Sequence, residues 1–504
     1  MIDPLYQFPV DASCLMATVP GIHRSRRGDG LLLVEPESAG WCVLNRAEWE
    51  IVQKLDHAVR PLRVDEVERR SGITADVFAA FVRRLYANNL VSLDGKTFYE
   101  PSEMWDVQSY PHYFNVHVTD ACNLACRYCR VSAQAGSPFM APETAKLIVR
   151  RIVEEIPSPS ISIGFHGGEP MLNLPAIAAA VGEADTIVAR LKGTDREKSI
   201  KYLMQTNGTM LSAKTVKTLK DLRLNIGVSI DGPNDIHDER RIFRNGKGTS
   251  CAVDRGVAAA SRAGTKLGYL AVVHDPGKYV DVLDHFVRVR GARSIRINFS
   301  MPEGRAKDQL AFPDERGETF ARGWLKMVDY AMEHHARTGI WLDIADLNLF
   351  VYHLMSRERP HMCYRSPCGI GNSILAFGYD GRIYLCDEVV GNEAFLIGDI
   401  HNNANLKLLL DNSRTRRKVM DARDVSRVAK CANCPWRRFH GSGCASKVYA
   451  RFGNFEKEDA MCRFYQIVFE ELMWRLEQKP EMVHLAGRFA KRLDLEAGPG
   501  NTGK

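Results

Sequence analysis

The apolar positions of this chain change period twice. In the first stretch, over residues 28–98, short apolar runs alternate with helical patterns. Leu31-Leu-Leu-Val34 and Trp41-Cys-Val-Leu44 flank Glu35-Pro-Glu-Ser-Ala-Gly40, and two such runs about a turn-rich connection predict a hairpin. Asn45 is placed to cap a helix over 46–55, and 64–70 predicts a second helix stopped by Gly72. Thr74 then caps a third over 75–88, with Val77, Phe78, Phe81, Val82 and Leu85 on one face. Val91-Ser-Leu-Asp-Gly-Lys-Thr-Phe98 reads as a small wing. A hairpin, three short helices and a wing form a winged-helix pattern. Such a unit could bind DNA, pair a peptide with a strand edge, or only pack.

Over residues 111–345 strand and helix signals alternate. Strands are expected at 114–118, 160–165, 201–205, 224–230, 267–273 and 294–298, with helices between them such as 142–156, 212–222 and 252–263. The class is α/β, a parallel sheet or partial barrel wrapped by helices, in which chemistry sits on the loops after the strands. A third stretch, 360–470, is rich in cysteine. In the last, 471–504, a helix begun just after Met461 continues; Phe464, Ile467, Val468, Leu472 and Trp474 are expected to pack it on the preceding domain, and residues 495–504 to fray.

Composition narrows the class. The chain has 504 residues, enough for about three domains of roughly 150 residues, and 45% hydrophobic with 26% charged residues excludes a mainly disordered chain. The net charge of +7 is modest for this length and does not indicate nucleic acid. No run of 18 apolar residues is present, and Met1–Val10 lacks a basic segment followed by an apolar one, so neither a membrane span nor a secretory signal is expected and a cytoplasmic location is. The 13 cysteines are then thiols in a reducing compartment, and close clusters read as metal sites before disulfides. Cys14, Cys42 and Cys251 stand apart and read as small buried hydrophobes.

Motifs fall on the loops after successive strands. Cys122-x3-Cys126-x2-Cys129 follows the first, with enough slack to fold three thiolates onto one face of an iron–sulfur cluster and leave one iron open. A zinc knuckle or three buried thiols fit the same three residues. Gly167-Gly168-Glu169-Pro170 follows the second strand, where two glycines admit a ligand to the backbone and an acid can grip an ammonium group. Thr206-Asn207-Gly208 ends the third, and Ser229-Ile-Asp231-Gly232-Pro233 the fourth. Each alone is an ordinary turn; their joint placement is the signal.

With these residues in place the chain resembles the radical S-adenosylmethionine (SAM) enzymes. The resemblance implies a partial (β/α)6 barrel in which Cys122, Cys126 and Cys129 hold a [4Fe–4S] cluster whose open iron chelates the methionyl group of SAM, with Tyr128 as the aromatic before the last cysteine. It implies that Gly167, Gly168, Glu169 and Pro170 bind the methionyl amine, and that Ser229 and Asp231 lie near ribose and substrate. One-electron cleavage of SAM would then yield a 5′-deoxyadenosyl radical that takes a hydrogen atom from substrate. The stretch from Ile236 to Thr249 resembles the peptide- and protein-modifying branch that includes anaerobic sulfatase maturases.

The third stretch resembles the SPASM domain, which holds two auxiliary [4Fe–4S] clusters. By that resemblance Cys363, Cys368, Cys386 and Cys444 take the first, and Cys431, Cys434 and Cys462 the second. Two structural zinc sites are the alternative. His440 stands where the usual pattern has a cysteine, and a neutral imidazole could complete the second cluster. Asp387, after Cys386, matches the acid that acts as base in related maturases; Glu388 is a weaker choice and a surface acid the plain alternative.

The N-terminal unit resembles the pyrroloquinoline-quinone biosynthesis peptide chaperone (PqqD-like) domain, which implies leader-peptide recognition. The expected function is therefore a maturase that crosslinks a cysteine sulfur to carbon in a ribosomally made peptide or small protein, similar to sactipeptide synthases and quinohemoprotein amine dehydrogenase maturases. A flavodoxin or ferredoxin is the expected electron donor, with no nucleic acid or membrane partner. Carbon–carbon or ether crosslinking and formylglycine formation are rivals on the same fold. An iron–sulfur winged-helix regulator is a rival from another class.

Overall fold

A computed structural model describes residues 9–99, 110–307, 314–402 and 405–497. Most of Met1–Val10 and the expected frayed end from 498 onward lie outside them. In the N-terminal part, β1 (Leu15–Thr18), β2 (His23–Arg27), β3 (Gly30–Glu35) and β4 (Gly40–Leu44) precede α1 (Arg46–Asp56), β5 (Leu62–Arg63), α2 (Val64–Ser71), α3 (Ala75–Ala87) and β6 (Val91–Leu93). β3 and β4 are the expected hairpin, and Asn45 caps α1 through a capping box with Glu48. Gly72 ends α2 in the left-handed conformation.

Three features of this part differ from expectation. The sheet gains β2 as a third strand, whose His-Arg-Ser-Arg-Arg sequence lacks an apolar alternation. Only β6 of the wing is a strand, and it pairs with β1 rather than with a strand of its own hairpin. Val77 is 55% exposed, because the buried face of α3 is Phe78, Phe81, Val82 and Leu85.

Alternate residues of the β2–β3–β4 sheet enter different cores. Leu31, Leu33, Cys42 and Leu44 pack with α1 to α3. Leu32, Val34, Trp41 and Val43 join the main core of the molecule. That period-two division seals the N-terminal part onto the rest of the chain. Of the lone cysteines, Cys42 is buried and Cys14 half-buried, but Cys251 is exposed, since it falls on the outer side of its helix.

The next strands are β7 (Tyr113–Thr119), β8 (Ser160–Gly167), β9 (Ser199–Thr206), β10 (Asn225–Ser229), β11 (Leu267–Val273) and β12 (Ser294–Phe299). They pair in parallel, in chain order, as the alternation predicts. Between and after them run α4 (Pro142–Glu155), α5 (Leu174–Leu191), α6 (Ala213–Asp221), α7 (Asn234–Arg240), α8 (Ser250–Arg262), α9 (Tyr279–Asp284), α10 (Asp314–Thr338), β13 (Asp343–Ile344) and α11 (Ala345–Met355). The segment Pro170–Leu191 is long and apolar enough to cross a membrane, with a mean hydropathy of 1.3, although it holds no unbroken run of 18 apolar residues. Here Ala176, Ile177, Ala180, Ala184 and Ile187 are buried in the core, with α5 packed on α4.

The cysteine-rich stretch extends this same sheet. β14 (Ile374–Phe377) pairs in parallel with β7, and β15 (Arg382–Tyr384) and β16 (Leu396–Asp399) follow antiparallel. The remaining helices are α12 (Leu406–Asn412), α13 (Arg414–Ala422), α14 (Ala429–Ala432), α15 (Arg437–His440), α16 (Ala445–Phe452), α17 (Cys462–Gln478) and α18 (His484–Ala497). The expected boundary at 470/471 falls inside α17. This helix packs on α10, and Trp474 lies 2.9 Å from where a Cβ at Gly30 would be, so one rod touches both ends of the chain.

Candidate metal and cofactor site

Cys122, Cys126 and Cys129 lie in the loop that leaves β7. Their sulfurs share a small cluster with Leu124, Ala133 and Phe243, and the charges of Cys126 and Cys129 act on Cys122. Burial pushes the Cys122 thiol up to about 11. A positive partner or a metal is therefore needed to ionise it, and metal uptake there would release protons.

The loop is held by backbone pairing and by arginines. Ala125 N–H donates to Ile242 O at 2.8 Å, and Arg127 N–H to Arg240 O at 2.9 Å. Arg244 grips Cys122 O through Nε (3.1 Å) and a terminal nitrogen (2.9 Å). Arg305, after β12, donates its backbone N–H to Cys129 O at 3.0 Å and its side chain to Cys126 O at 2.9 Å. These contacts fix a loop that has no regular structure of its own.

The Gly167-Gly168 strip is pressed on this loop. Gly167 has φ +118°, and a Cβ there would lie 2.1 Å from Thr119 O. A Cβ on Gly168 would lie 2.1 Å from Ala121 O. Glu169 is fully buried; it accepts from Met171 N (3.1 Å), Thr206 Oγ1 (2.7 Å) and Asn207 N (2.8 Å). Burial raises its carboxyl, and those bonds oppose the shift. Pro170 opens the short turn 170–173 that leads into α5. Asn207 also donates to Asn123 Oδ1 at 2.9 Å, which joins the β9 tip to the cysteine loop.

Ser229 and Asp231 end β10 with different surroundings. Ser229 Oγ accepts from Gln205 Nε2 at 2.9 Å. Asp231 is fully buried and its oxygens are taken: Oδ2 by Tyr128 Oη (2.7 Å) and Arg241 Nε (3.0 Å), Oδ1 by Val272 N (3.1 Å). Burial would raise its carboxyl, but Arg241 and His237 hold it below the usual range.

The other cysteines form two groups. The charges of Cys368 and Cys444 act on Cys363, and that of Cys363 on Cys386. Burial pushes Cys444 up to about 12, against the pull of Lys447. Cys431, Cys434 and Cys462 act on one another, and burial pushes Cys431 up to about 11 and Cys462 to about 12. Among the described residues no three of His, Cys, Asp or Glu converge on a single-ion position.

His440 is buried, with its ring stacked on Tyr465 at 3.9 Å. Burial pushes it down to about 4, and the charges that act on it are those of Asp459, Lys447 and Arg423. Asp459 is the carboxylate whose charge reaches both Cys431 and Cys462, and it also accepts from Cys444 N at 2.9 Å.

Asp387 lies half-buried just after β15. Burial would raise its carboxyl, but Arg130 first, then His166 and His117, hold it below the ordinary range. Arg130, the residue after Cys129, donates to Asp387 O at 2.9 Å and pairs with Glu388 at 3.0 Å. Glu303, after β12, joins the same cluster of charges; burial and then Glu388 push it up to about 7. Sequence patterns missed Arg130, Arg241, Arg244, Arg305 and Glu303, although the position of Arg130 beside a candidate ligand was visible.

Residues 116–286 match the profile of the radical SAM superfamily. An uncharacterized protein of Archaeoglobus fulgidus is 28% identical over 366 residues, 70% of this chain and 78% of that protein. A cysteine-type anaerobic sulfatase-maturating enzyme of Clostridium novyi is 24% identical over 370 residues, 70% of this chain and 93% of the relative. Among solved structures, native anSMEcpe with bound AdoMet superposes with a TM-score of 0.62 at 20% identity, covering 75% of this chain and all of that one. Streptococcus suis SuiB bound to precursor peptide SuiA gives 0.52 at 13% identity, covering 89% of this chain and all of that one. At these identities the two structures establish a shared fold.

Proposed function

We propose, on the premise that residues 116–286 form a radical SAM domain, that this chain is a peptide or small-protein maturase that forms thioether crosslinks. The observation that carries the reading is Arg130: it stands beside Cys129 and binds both residues that follow Cys386, so the loop of the first cysteine motif abuts the loop of Cys386. A substrate residue held there would lie between a hydrogen-abstracting site and an auxiliary site. When bound, the cluster of Cys122, Cys126 and Cys129 together with SAM supplies the abstraction of a hydrogen atom.

The chain's own residues do the rest. Gly167 and Gly168 admit the methionyl group to bare backbone, Glu169 and Pro170 shape that strip, and Ser229 faces the ribose. Asp387, held ionised beside Arg130, would take the proton of the substrate thiol as its sulfur joins the carbon radical, and the one electron released in that coupling would pass to the auxiliary cluster beside Cys386. Cys363, Cys368, Cys386 and Cys444 would hold one auxiliary cluster; Cys431, Cys434 and Cys462, with His440 as fourth ligand, would hold the other. Asp459 competes with His440 for that fourth position because its charge reaches two of the three thiols.

The N-terminal unit recognises the substrate's leader segment. Arg84, one of the two arginines on α3, is ion-paired to Glu48 within the unit, which disfavours the DNA-binding regulator. The match to peptide-bound SuiB over 89% of the chain supports a peptide partner. The sulfatase-maturating relatives support a second reading, oxidation of a serine or cysteine to formylglycine.

Mass spectrometry of a small cysteine-bearing protein encoded beside this chain, co-produced with and without it, tests both. Loss of two hydrogens per crosslink with alkylation blocked is the expected result. A mass change with every cysteine still free removes the thioether reading, and a new hydrazide-reactive aldehyde favours formylglycine.

A further inference from the structure

The surface around the first cysteine motif carries charge of one sign. Residues 122–134 form the loop itself, and 240–248 and 304–307 are bonded to its backbone; none of the three segments holds an Asp or Glu. Their cations fall into two sets. Arg130, Arg240 and Arg241 are matched, by Glu388, Glu239 and Asp231. Arg127, Arg244, Lys247, Arg305 and Lys307 meet no carboxylate among the described residues. Arg244 and Arg305 direct their donors at the carbonyls of Cys122, Cys126 and Ala133, which carry no net charge. Arg127, Arg244, Lys247 and Lys307 are exposed. These unmatched cations weigh heavily in a chain whose net charge is only +7. The surroundings of the second auxiliary group are different. Beside Cys431 and Cys434, Lys430 pairs with Glu458 at 3.2 Å, Arg438 with Glu37 at 3.7 Å, and Arg437 with Glu37 as well. Beside Cys462, Arg463 pairs with Glu318 at 3.9 Å.

We propose that this basic rim is the docking surface for an acidic one-electron carrier protein, so that electrons enter at the first cysteine motif and not on the side of the second auxiliary group. The inference rests on the radical SAM reading. Uncompensated charge around one site raises the association rate of an oppositely charged partner by about 10- to 1,000-fold and orients it as it arrives. The matched pairs beside Cys431, Cys434 and Cys462 offer no comparable field. Arg244 and Arg305 are fastened to the ligand-bearing loop itself, so a carrier drawn to them is brought against that loop. One electron then passes from the carrier's reduced flavin or iron–sulfur group, which is oxidised, to the oxidised group held by Cys122, Cys126 and Cys129, and no bond is made or broken.

The test is the rate at which excess flavodoxin hydroquinone reduces anaerobically reconstituted full-length protein without substrate, followed by stopped-flow absorbance at low and high salt. Lys247→Glu/Lys307→Glu reverses two exposed charges and leaves the arginines on the loop carbonyls in place. It is expected to slow reduction about tenfold at an ionic strength of about 0.01 M, where the Debye length is about 30 Å, and to match wild type at about 1 M, where it is about 3 Å. Lys192→Glu, just past the end of α5, and Lys457→Glu, beside Glu458, make the same kind of change elsewhere and are expected to keep the wild-type rate. Photoreduced deazaflavin, a small uncharged reductant, is expected to reduce all four proteins equally. A double variant reduced as fast as wild type at low salt overturns the inference, and is what a rim for an acidic substrate segment would give. A wild-type rate indifferent to salt, or equal slowing by Lys192→Glu or Lys457→Glu, also overturns it. So does slowing of the double variant with deazaflavin, which would make these charges tune the cluster and not dock a carrier. Wild-type protein whose cluster takes no electron from deazaflavin, or does not respond to added SAM, overturns the reading beneath it.

Discussion

Replacing Gly168 by alanine tests whether the glycine strip and the cysteine loop are one rigid unit. A Cβ at 168 would meet Ala121 O at 2.1 Å, Ala121 C at 2.6 Å and Asp120 O at 2.8 Å, all backbone atoms. Ordinary contact begins at 3.4 Å, so the methyl must drive the two segments apart by more than an ångström. The bonds at risk are Gly168 N–H to Thr119 O and Glu169 N–H to Ala121 O, both 2.8 Å. Two backbone bonds at about 1 kcal/mol each, plus overpacking of about 1–3 kcal/mol, give a loss of about 3–5 kcal/mol. Gly182 is the control: it lies within α5 and a Cβ there meets nothing within 4 Å, so alanine should stabilise by about 1 kcal/mol. Denaturant unfolding of both variants measures the stability difference. Equilibrium dialysis of SAM measures the functional one, with affinity expected to fall at least tenfold for Gly168→Ala and to stay unchanged for Gly182→Ala. A Gly168→Ala protein with wild-type stability and SAM affinity would refute the idea that backbone contact between these segments holds the site.

Further outcomes follow from particular contacts. His440→Ala should lose the iron and the paramagnetic signal of the second auxiliary group, and His440→Cys should keep them; loss on Asp459→Asn alone would transfer the ligand role to Asp459. Glu303 is raised to about 7 from an unfolded value of about 4.3. Its contribution to stability is thus complete below the lower value and lost as pH rises to the upper one, so stability should fall less steeply between pH 5 and 8 in Glu303→Gln than in wild type. Trp41, 2% exposed, donates its indole N–H to Leu354 O at 2.8 Å, and Trp41→Ala should cost about 3–5 kcal/mol in denaturant unfolding by emptying the seam beneath the β2–β3–β4 sheet.

The positions of the parallel strands of the central sheet were legible in the residues, because each strand carries its own apolar run and each connecting helix its own period. The loops bearing Cys122, Gly167 and Ser229 were legible for the same reason: a motif that follows a strand is fixed to that strand's end by covalent connection. Helices α5, α10 and α11 were expected only in general and not given bounds, since small or mixed residues dilute their period. β2 was passed over because an edge strand of His, Arg and Ser has no alternation to read.

What the chain alone determined is therefore the local part: where the strands lie, which loops bear thiols and glycines, and that these belong to one class of chemistry. Only the tertiary structure decided which distant groups complete those loops. Arg244 and Cys122 are 122 residues apart, and Arg305 reaches Cys126 from 179 residues away. The occupancy of Asp231, the tie from Arg130 to Asp387, and the environments of His440 and Asp459 are likewise set by packing between elements. Local periodicity reports which face of an element is buried. It carries no term for what the opposite face meets.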